Sequence, residues 1–121
     1  MADDIAKAAR ILKVLAVQTR VHIVRHLKGR ALCVNALAAR LDVTQGAVSQ
    51  HLRLMREAGL VVAEKRGYYV HYRLNEKTLA AWREEIDRLL DPAVGSRTDT
   101  KGALRCAAAM TRSKTARSRK T

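Results

Sequence analysis

Phenylalanine is absent from this 121-residue chain, and one tryptophan and three tyrosines are its only aromatic residues. Proteins that hold RNA or single strands stack bases on aromatic platforms, so that class is disfavoured. Cysteine occurs only at Cys33 and Cys106, too rarely for a disulfide-stapled secreted scaffold. No apolar run approaches the roughly eighteen residues of a membrane span. The amino terminus, Met-Ala-Asp-Asp, is acidic and leads into an amphipathic segment, unlike a secretory leader. A soluble cytoplasmic protein with no membrane partner is expected. The chain has no glycine-rich phosphate loop, no His-Glu-x-x-His pair and no nucleophile elbow, so no enzyme chemistry is expected either.

Acidic residues are also scarce. Eleven Asp and Glu face twenty-four Lys and Arg, for a net charge of +13 and a pI near 10.7. Such an excess favours a polyanionic partner. Residues 92–121 carry eight Lys/Arg and one Asp, a net of +7, and residues 1–91 carry sixteen and ten, a net of +6. The first part is therefore basic in its own right. Residues 92–121 are rich in Ser, Thr, Lys, Arg and Ala and read as a mostly disordered tail, with a transient helix over 103–110. Residues 1–91 read as one small domain, short enough that pairing with a second copy would help to bury apolar surface.

Within that domain the apolar period is mostly helical. Asp4 is an N-cap for a first helix whose face carries Ile5, Ala8, Ala9, Leu12, Leu15 and Ala16. Thr19 opens a second helix to about Lys28, with Val21, Val24 and Leu27 inward and Gly29 as its stop. A third runs from about Val34 to Leu41 on Leu37, Ala38 and Leu41. Asp42-Val43-Thr44 is then a tight turn into a fourth helix, so the third and fourth make a helix-turn-helix. Alternation over 61–65 and 68–74 around Arg66-Gly67 signals a β-hairpin, a wing. Asn75 caps a last helix with Leu79, Trp82, Ile86, Leu89 and Leu90 on one face, ended by Asp91-Pro92. The fold class is mainly α with a small β-hairpin.

The fourth helix, residues 44–60, carries the most information. Thr44 is its N-cap and Gly59 its stop, and Val48, Leu52 and Met55 share an inward side. Gln45, Ser49, Gln50 and Arg53 point elsewhere. Two readings fit that polar side: an ordinary solvated face, or one suited to base edges in a DNA major groove. The helix-turn-helix, wing and charge around it favour DNA.

Ala16-Val17-Gln18-Thr19-Arg20, Leu32-Cys33-Val34-Asn35-Ala36-Leu37-Ala38, Val48-Ser49-Gln50-His51-Leu52, Glu57-Ala58-Gly59-Leu60-Val61 and Arg66 to Leu74 stand in one order across residues 4–90. That ordered set resembles the ArsR/SmtB family of bacterial transcriptional repressors. The resemblance implies a homodimeric winged helix-turn-helix that binds an inverted-repeat operator in double-stranded DNA and lets go when an inducer binds. It implies Thr44, Gln45, Ser49 and Gln50 as DNA-reading residues, with His51 and Arg53 secondary. Lys65, Arg66 and Tyr68 would lie at the wing. His51 is equally well read as a helix-packing residue. Dimerisation is expected through the first and last helices, on Ile5, Ala8, Leu12, Trp82, Ile86 and Leu89.

The metal sites of that family are incomplete here. Its Cys-x-Cys reads Cys33-Val34-Asn35, and one thiolate alone makes no tight soft-metal site. The last helix has carboxylates, Glu84, Glu85 and Asp87, but residues 76–90 contain no histidine. His22 and His26 stand at i, i+4, a metal-binding spacing, but the inward face expected for the second helix leaves both in solvent. No metal site is expected. Cys33 and Cys106 are effector candidates: a thiol pair for arsenite, another thiophilic ligand or an oxidant, or else a small buried cysteine and an incidental exposed one. Two other functions compete with a repressor. A protein-interaction winged helix would show an apolar face over 44–56, which is instead polar and basic. A non-sensing architectural DNA binder would work through the tail.

Overall fold

Thr44 turns the chain into the fourth helix, as its position predicts. Its hydroxyl oxygen accepts a hydrogen bond from the Ala47 amide at 3.1 Å, satisfying a donor that the first helical turn leaves open. The structure, a computed structural model, describes residues 2–95. In chain order the elements are α1 (Ala2–Leu15), α2 (Gln18–His26), β1 (Leu32–Cys33), α3 (Val34–Leu41), α4 (Gln45–Glu57), β2 (Val61–Arg66), β3 (Tyr69–Leu74), α5 (Glu76–Leu90) and α6 (Pro92–Gly95). Two units divide the chain, Met1–Ile86 and Asp87–Thr121. Of the second, the described part is the end of α5 and the short α6, where the Asp91 carboxylate accepts from the Ala93 amide at 3.0 Å. Cys106 and the rest of the basic tail from residue 96 lie outside the described residues.

The core of the first unit sits where α2, α3 and α4 meet the sheet. Val48, Leu52 and Met55 of α4 are all fully buried, together with Ile23, Leu37 and Leu60. Between α3 and α4, Asp42 adopts φ 55°, the one left-handed non-glycine among the described residues, and the Val43 amide reaches back to the Ala38 carbonyl. Short polar side chains tolerate that conformation, so the three-residue turn closes without glycine. Gly59, at φ 81°, ends α4 on the left-handed backbone that a side chain would strain. Asn75 caps α5 through its side-chain oxygen, 3.4 Å from the Thr78 amide.

Several expectations need correction. Asp4 does not cap α1 but lies with Asp3 inside its first turn, where carboxylates oppose the positive end of the helix dipole. α2 begins one residue before Thr19, with Val17 as an N-cap whose apolar side chain can accept no hydrogen bond from the first turn. Ile23, not Val21, is its buried residue; Val21 is exposed, and His22 and His26 are half-buried rather than solvent-facing. Ala8 is buried within its own protomer, so it does not belong to a free face of α1. The wing is not a lone hairpin either. β1 pairs antiparallel with β3, giving a three-stranded sheet in the order β1-β3-β2. Gly67 and Tyr68 form its two-residue turn, with Gly67 at φ 63° in the first central position.

Two apolar surfaces stay uncovered. α5 has no buried residue at all: Leu79 and Trp82 lie half-buried against the core, Ile86 is half-buried and Leu89 is 48% exposed. On α1, Ile5 is 68% exposed and Leu12 43%.

Candidate nucleic-acid interface

Because Val48, Leu52 and Met55 turn fully inward, the opposite side of α4 is fixed in solvent. Gln45, Ser49, Gln50 and Arg53 are all exposed, and Thr44 is exposed at the helix start. Arg53 is held along the helix by Glu57, Nε to Oε1 at 3.3 Å. A cleft of about 370 Å³ beside the helix is lined by Ser49, Arg53, Arg56, Glu57 and Tyr72. Glutamine, serine and arginine on one exposed strip supply donors and acceptors together, which base edges in a major groove require.

His51 stands apart from that strip. It is half-buried, and its Nδ1 accepts a hydrogen bond from Arg20 Nε at 3.3 Å. Burial, and then the Arg20 charge, push its pKa below the ordinary 6.5. The ring is therefore a neutral acceptor near pH 7, joining α4 to α2. Of the two readings of His51, helix packing is the one this geometry favours.

The wing projects Lys65, Arg66 and Tyr68, all exposed, with Tyr68 wholly so at the tip. Arg66 is not an unopposed cation. Glu64 bonds Arg73 and, at 3.3 Å, Arg66, and these two guanidiniums hold its carboxyl below the usual carboxylate range. Lys65 has no carboxylate partner among the described residues.

Cys33 lies in β1 and forms the N-cap position of α3, half-buried and unbonded as a cap. Its partner in the β1–β3 register is His71, whose other cross-strand partner is Glu64. His71 Nδ1 is buried and has no hydrogen-bond partner among the described residues. Among the described residues no cluster of three His, Cys, Asp or Glu could hold a metal ion, and no helix is long and apolar enough to cross a membrane. Sequence reasoning missed Arg20 and His71. Neither has a local signal, because each acquires its neighbour only through tertiary packing.

The model of the bacterial regulatory protein, arsR family, matches residues 18–62, which span α2 to the start of the wing. The transcriptional activator HlyU of Vibrio cholerae is 37% identical over 89 residues, 74% of this chain and 82% of that protein. The chain belongs to the arsR family. Another relative, the arsenical resistance operon repressor of Escherichia coli, is 42% identical over 78 residues, or 64% of this chain. That match spans 66% of the repressor, just under two thirds of its length. Among solved structures, the homodimeric winged helix-turn-helix DNA-binding domain Mb0332 of Mycobacterium bovis superposes with a TM-score of 0.59 at 26% identity. It covers 74% of this chain and 87% of that one. The arsR-family fold here is thus a winged helix-turn-helix, with α3 and α4 as the motif and β2–β3 as the wing.

Proposed function

We propose that the chain is a homodimeric transcriptional repressor acting in the bacterial cytoplasm, reading an inverted-repeat operator in double-stranded DNA with α4. One observation carries this: α4 buries Val48, Leu52 and Met55 completely while Gln45, Ser49, Gln50 and Arg53 remain exposed together. Gln50 or Gln45 can pair with adenine bidentately, and Ser49 with a base edge or phosphate. Thr44 sits at the helix start, where backbone amides also favour phosphate. Lys65, Arg66 and Tyr68 on the wing set position on the duplex rather than sequence. Pairing through Ile5, Leu12, Trp82, Ile86 and Leu89 would cover the apolar sides of α1 and α5 and set two reading helices about one DNA turn apart. The homodimeric Mycobacterium bovis domain supports that assembly.

The test is a pair of variants. Ser49→Ala and Gln50→Ala should each weaken specific binding by about 1–3 kcal/mol per lost contact and flatten discrimination between operator and random duplex. If both leave discrimination intact, α4 is not the reading helix.

For the switch, a thiophilic inducer such as arsenite, or an oxidant, acts at Cys33, with Cys106 as the second thiol. Cys33 begins the helix that packs on α4, so a change there can tilt the motif, provided that it favours one geometry by a few kcal/mol. The named relative from Escherichia coli, an arsenical resistance repressor, supports arsenite as the first agent to try. Operator release by arsenite, oxidant and zinc, measured in wild type, Cys33→Ser and Cys106→Ser, tests it. Release by zinc that survives both changes overturns the thiol switch.

A further inference from the structure

A cleft of about 450 Å³ opens among α1, α2, the end of α4 and α5, away from the exposed strip of α4. Its floor is apolar, made by Ile11, Val14, Leu54, Ala58 and Trp82. Around it stand four cations, Lys7, Arg10, Lys13 and Arg20, and no carboxylate among the described residues lines it. Lys7 is answered by Glu85 at 3.7 Å, whereas Arg10, Lys13 and Arg20 have no carboxylate partner among the described residues. Three uncompensated cations over one apolar floor repel one another unless an anion joins them. An inorganic anion would leave the floor bare, and a neutral apolar molecule would leave the cations unanswered. The volume falls within the range of roughly 300–1,000 Å³ usual for small-molecule sites.

We propose that this cleft binds a small anionic amphiphile, a carboxylate with an apolar tail of medium length, and that its occupation loosens α4. The tail lies on Trp82, Leu54 and Val14, and the carboxylate meets Arg20 with Arg10 or Lys13. Arg20 is the link. It now donates through Nε to His51 of α4 at 3.3 Å and through Nη1 to the Val14 carbonyl at 3.3 Å. A carboxylate accepts from a guanidinium more strongly than a neutral imidazole does, so it competes for the same donor. Leu54 and Ala58 place the ligand directly against the back of α4. The consequence for DNA rests on α4 being the reading helix; the binding itself does not. Ile5 and Leu12, the exposed apolar residues of α1, lie on a different side of that helix from Lys7, Arg10 and Val14. Pairing through Ile5 and Leu12 therefore leaves the α1 wall of the cleft open, and only Trp82 is shared between the cleft and the proposed pairing surface.

Trp82 is the single tryptophan of the chain, so the unmodified protein reports on the cleft. Full-length protein without DNA is titrated with sodium decanoate below its micelle concentration, following tryptophan emission. A saturable change is expected, at least tenfold weaker for 1-decanol, which lacks the charge, and for acetate, which lacks the tail. The double variant Arg10→Glu, Lys13→Glu should weaken decanoate binding at least tenfold; the ligand series decides the matter even if that variant does not fold. No saturable change, or an equal response to decanol, overturns the site. So does a change that accompanies dissociation to monomers in sedimentation, because the cleft is then the seat of a second copy. Anionic phosphatidylglycerol vesicles that act where decanoate does not would overturn a free ligand in favour of a membrane surface. In a second arm, decanoate should release a labelled duplex that the protein has selected from a random pool. Saturated emission with unchanged DNA binding overturns the coupling, and failure of that duplex to bind at all counts against the repressor function while leaving the emission result standing.

Discussion

His51 shows how one residue on α4 serves the fold instead of the interface. Its Nδ1 accepts from Arg20, and burial and the Arg20 charge lower its pKa; burial first, and then neighbouring cations led by Arg30, lower that of His26. A histidine whose folded pKa lies below its unfolded value binds more protons when unfolded, so its stabilising contribution is intact above pH 6.5 and is lost as pH falls below that value. The melting temperature should therefore decline between pH 7 and pH 5. His51→Asn, which keeps an acceptor near the position of Nδ1 without titrating, should make the decline shallower; an unchanged slope would remove His51 from the account. Glu64 makes an opposite case on the wing. It occupies Arg66 and Arg73 at once, so a DNA phosphate must compete with it. Glu64→Gln should tighten binding to operator and random DNA alike and steepen the salt dependence by a slope of about one, whereas Arg66→Ala should do the reverse. Equal salt slopes in wild type and Glu64→Gln would show that the wing arginines do not reach phosphate.

At the scale of elements, α4 is held by packing and by its cap. Leu52 is fully buried, and Leu52→Ala should cost about 2–5 kcal/mol in denaturant unfolding. Thr44→Ala, which removes the acceptor for the Ala47 amide, should cost about 0.5–2 kcal/mol. A Thr44→Ala loss near zero would mean that water replaces the cap. These features were legible in the sequence because α4 is long, strongly periodic and bounded by Thr44 and Gly59. The hairpin was legible for a like reason, since Gly67 marks its turn between alternating residues. Other elements left weaker traces. α2 spans nine residues, too few for the helical period to decide between a face on Val21 and one on Ile23. β1 has two residues, which no periodicity can register, and it becomes a strand only because β3 lies beside it. The site around Trp82 was hidden for yet another reason. Lys7, Arg10 and Lys13 recur every third residue along α1, but the apolar floor beside them is completed by Leu54 and Ala58 at the end of α4 and by Trp82 of α5.

For the whole molecule, the amphipathic α5 without one buried residue and the exposed Ile5 and Leu12 amount to more apolar surface than a lone small domain ordinarily leaves in water. Sedimentation at micromolar concentration should give a dimer. Ile5→Glu with Leu12→Glu should shift it toward monomer and lower the melting temperature, since pairing stabilises only the folded protomer. A wild-type monomer would refute the assembly. A chain ending after Asp91 loses eight Lys/Arg and one Asp. It should keep its preference for operator and lose affinity mainly for random DNA; loss of all binding would favour an architectural protein working through the tail. The order of strands bears on assembly of another kind. β1 meets β3 between residues 32 and 72 and between 33 and 71, and the whole helix-turn-helix lies inside the loop that this pairing closes. Closing so long a loop costs chain entropy before its contacts repay it. On a ribosome, α3 and α4 emerge first and wait with one side of their packing missing until Leu74 has cleared the exit. A message broken before the wing codons would thus yield a fragment that carries the whole exposed strip of α4 but lacks Val61 and Leu74 of the core beneath it.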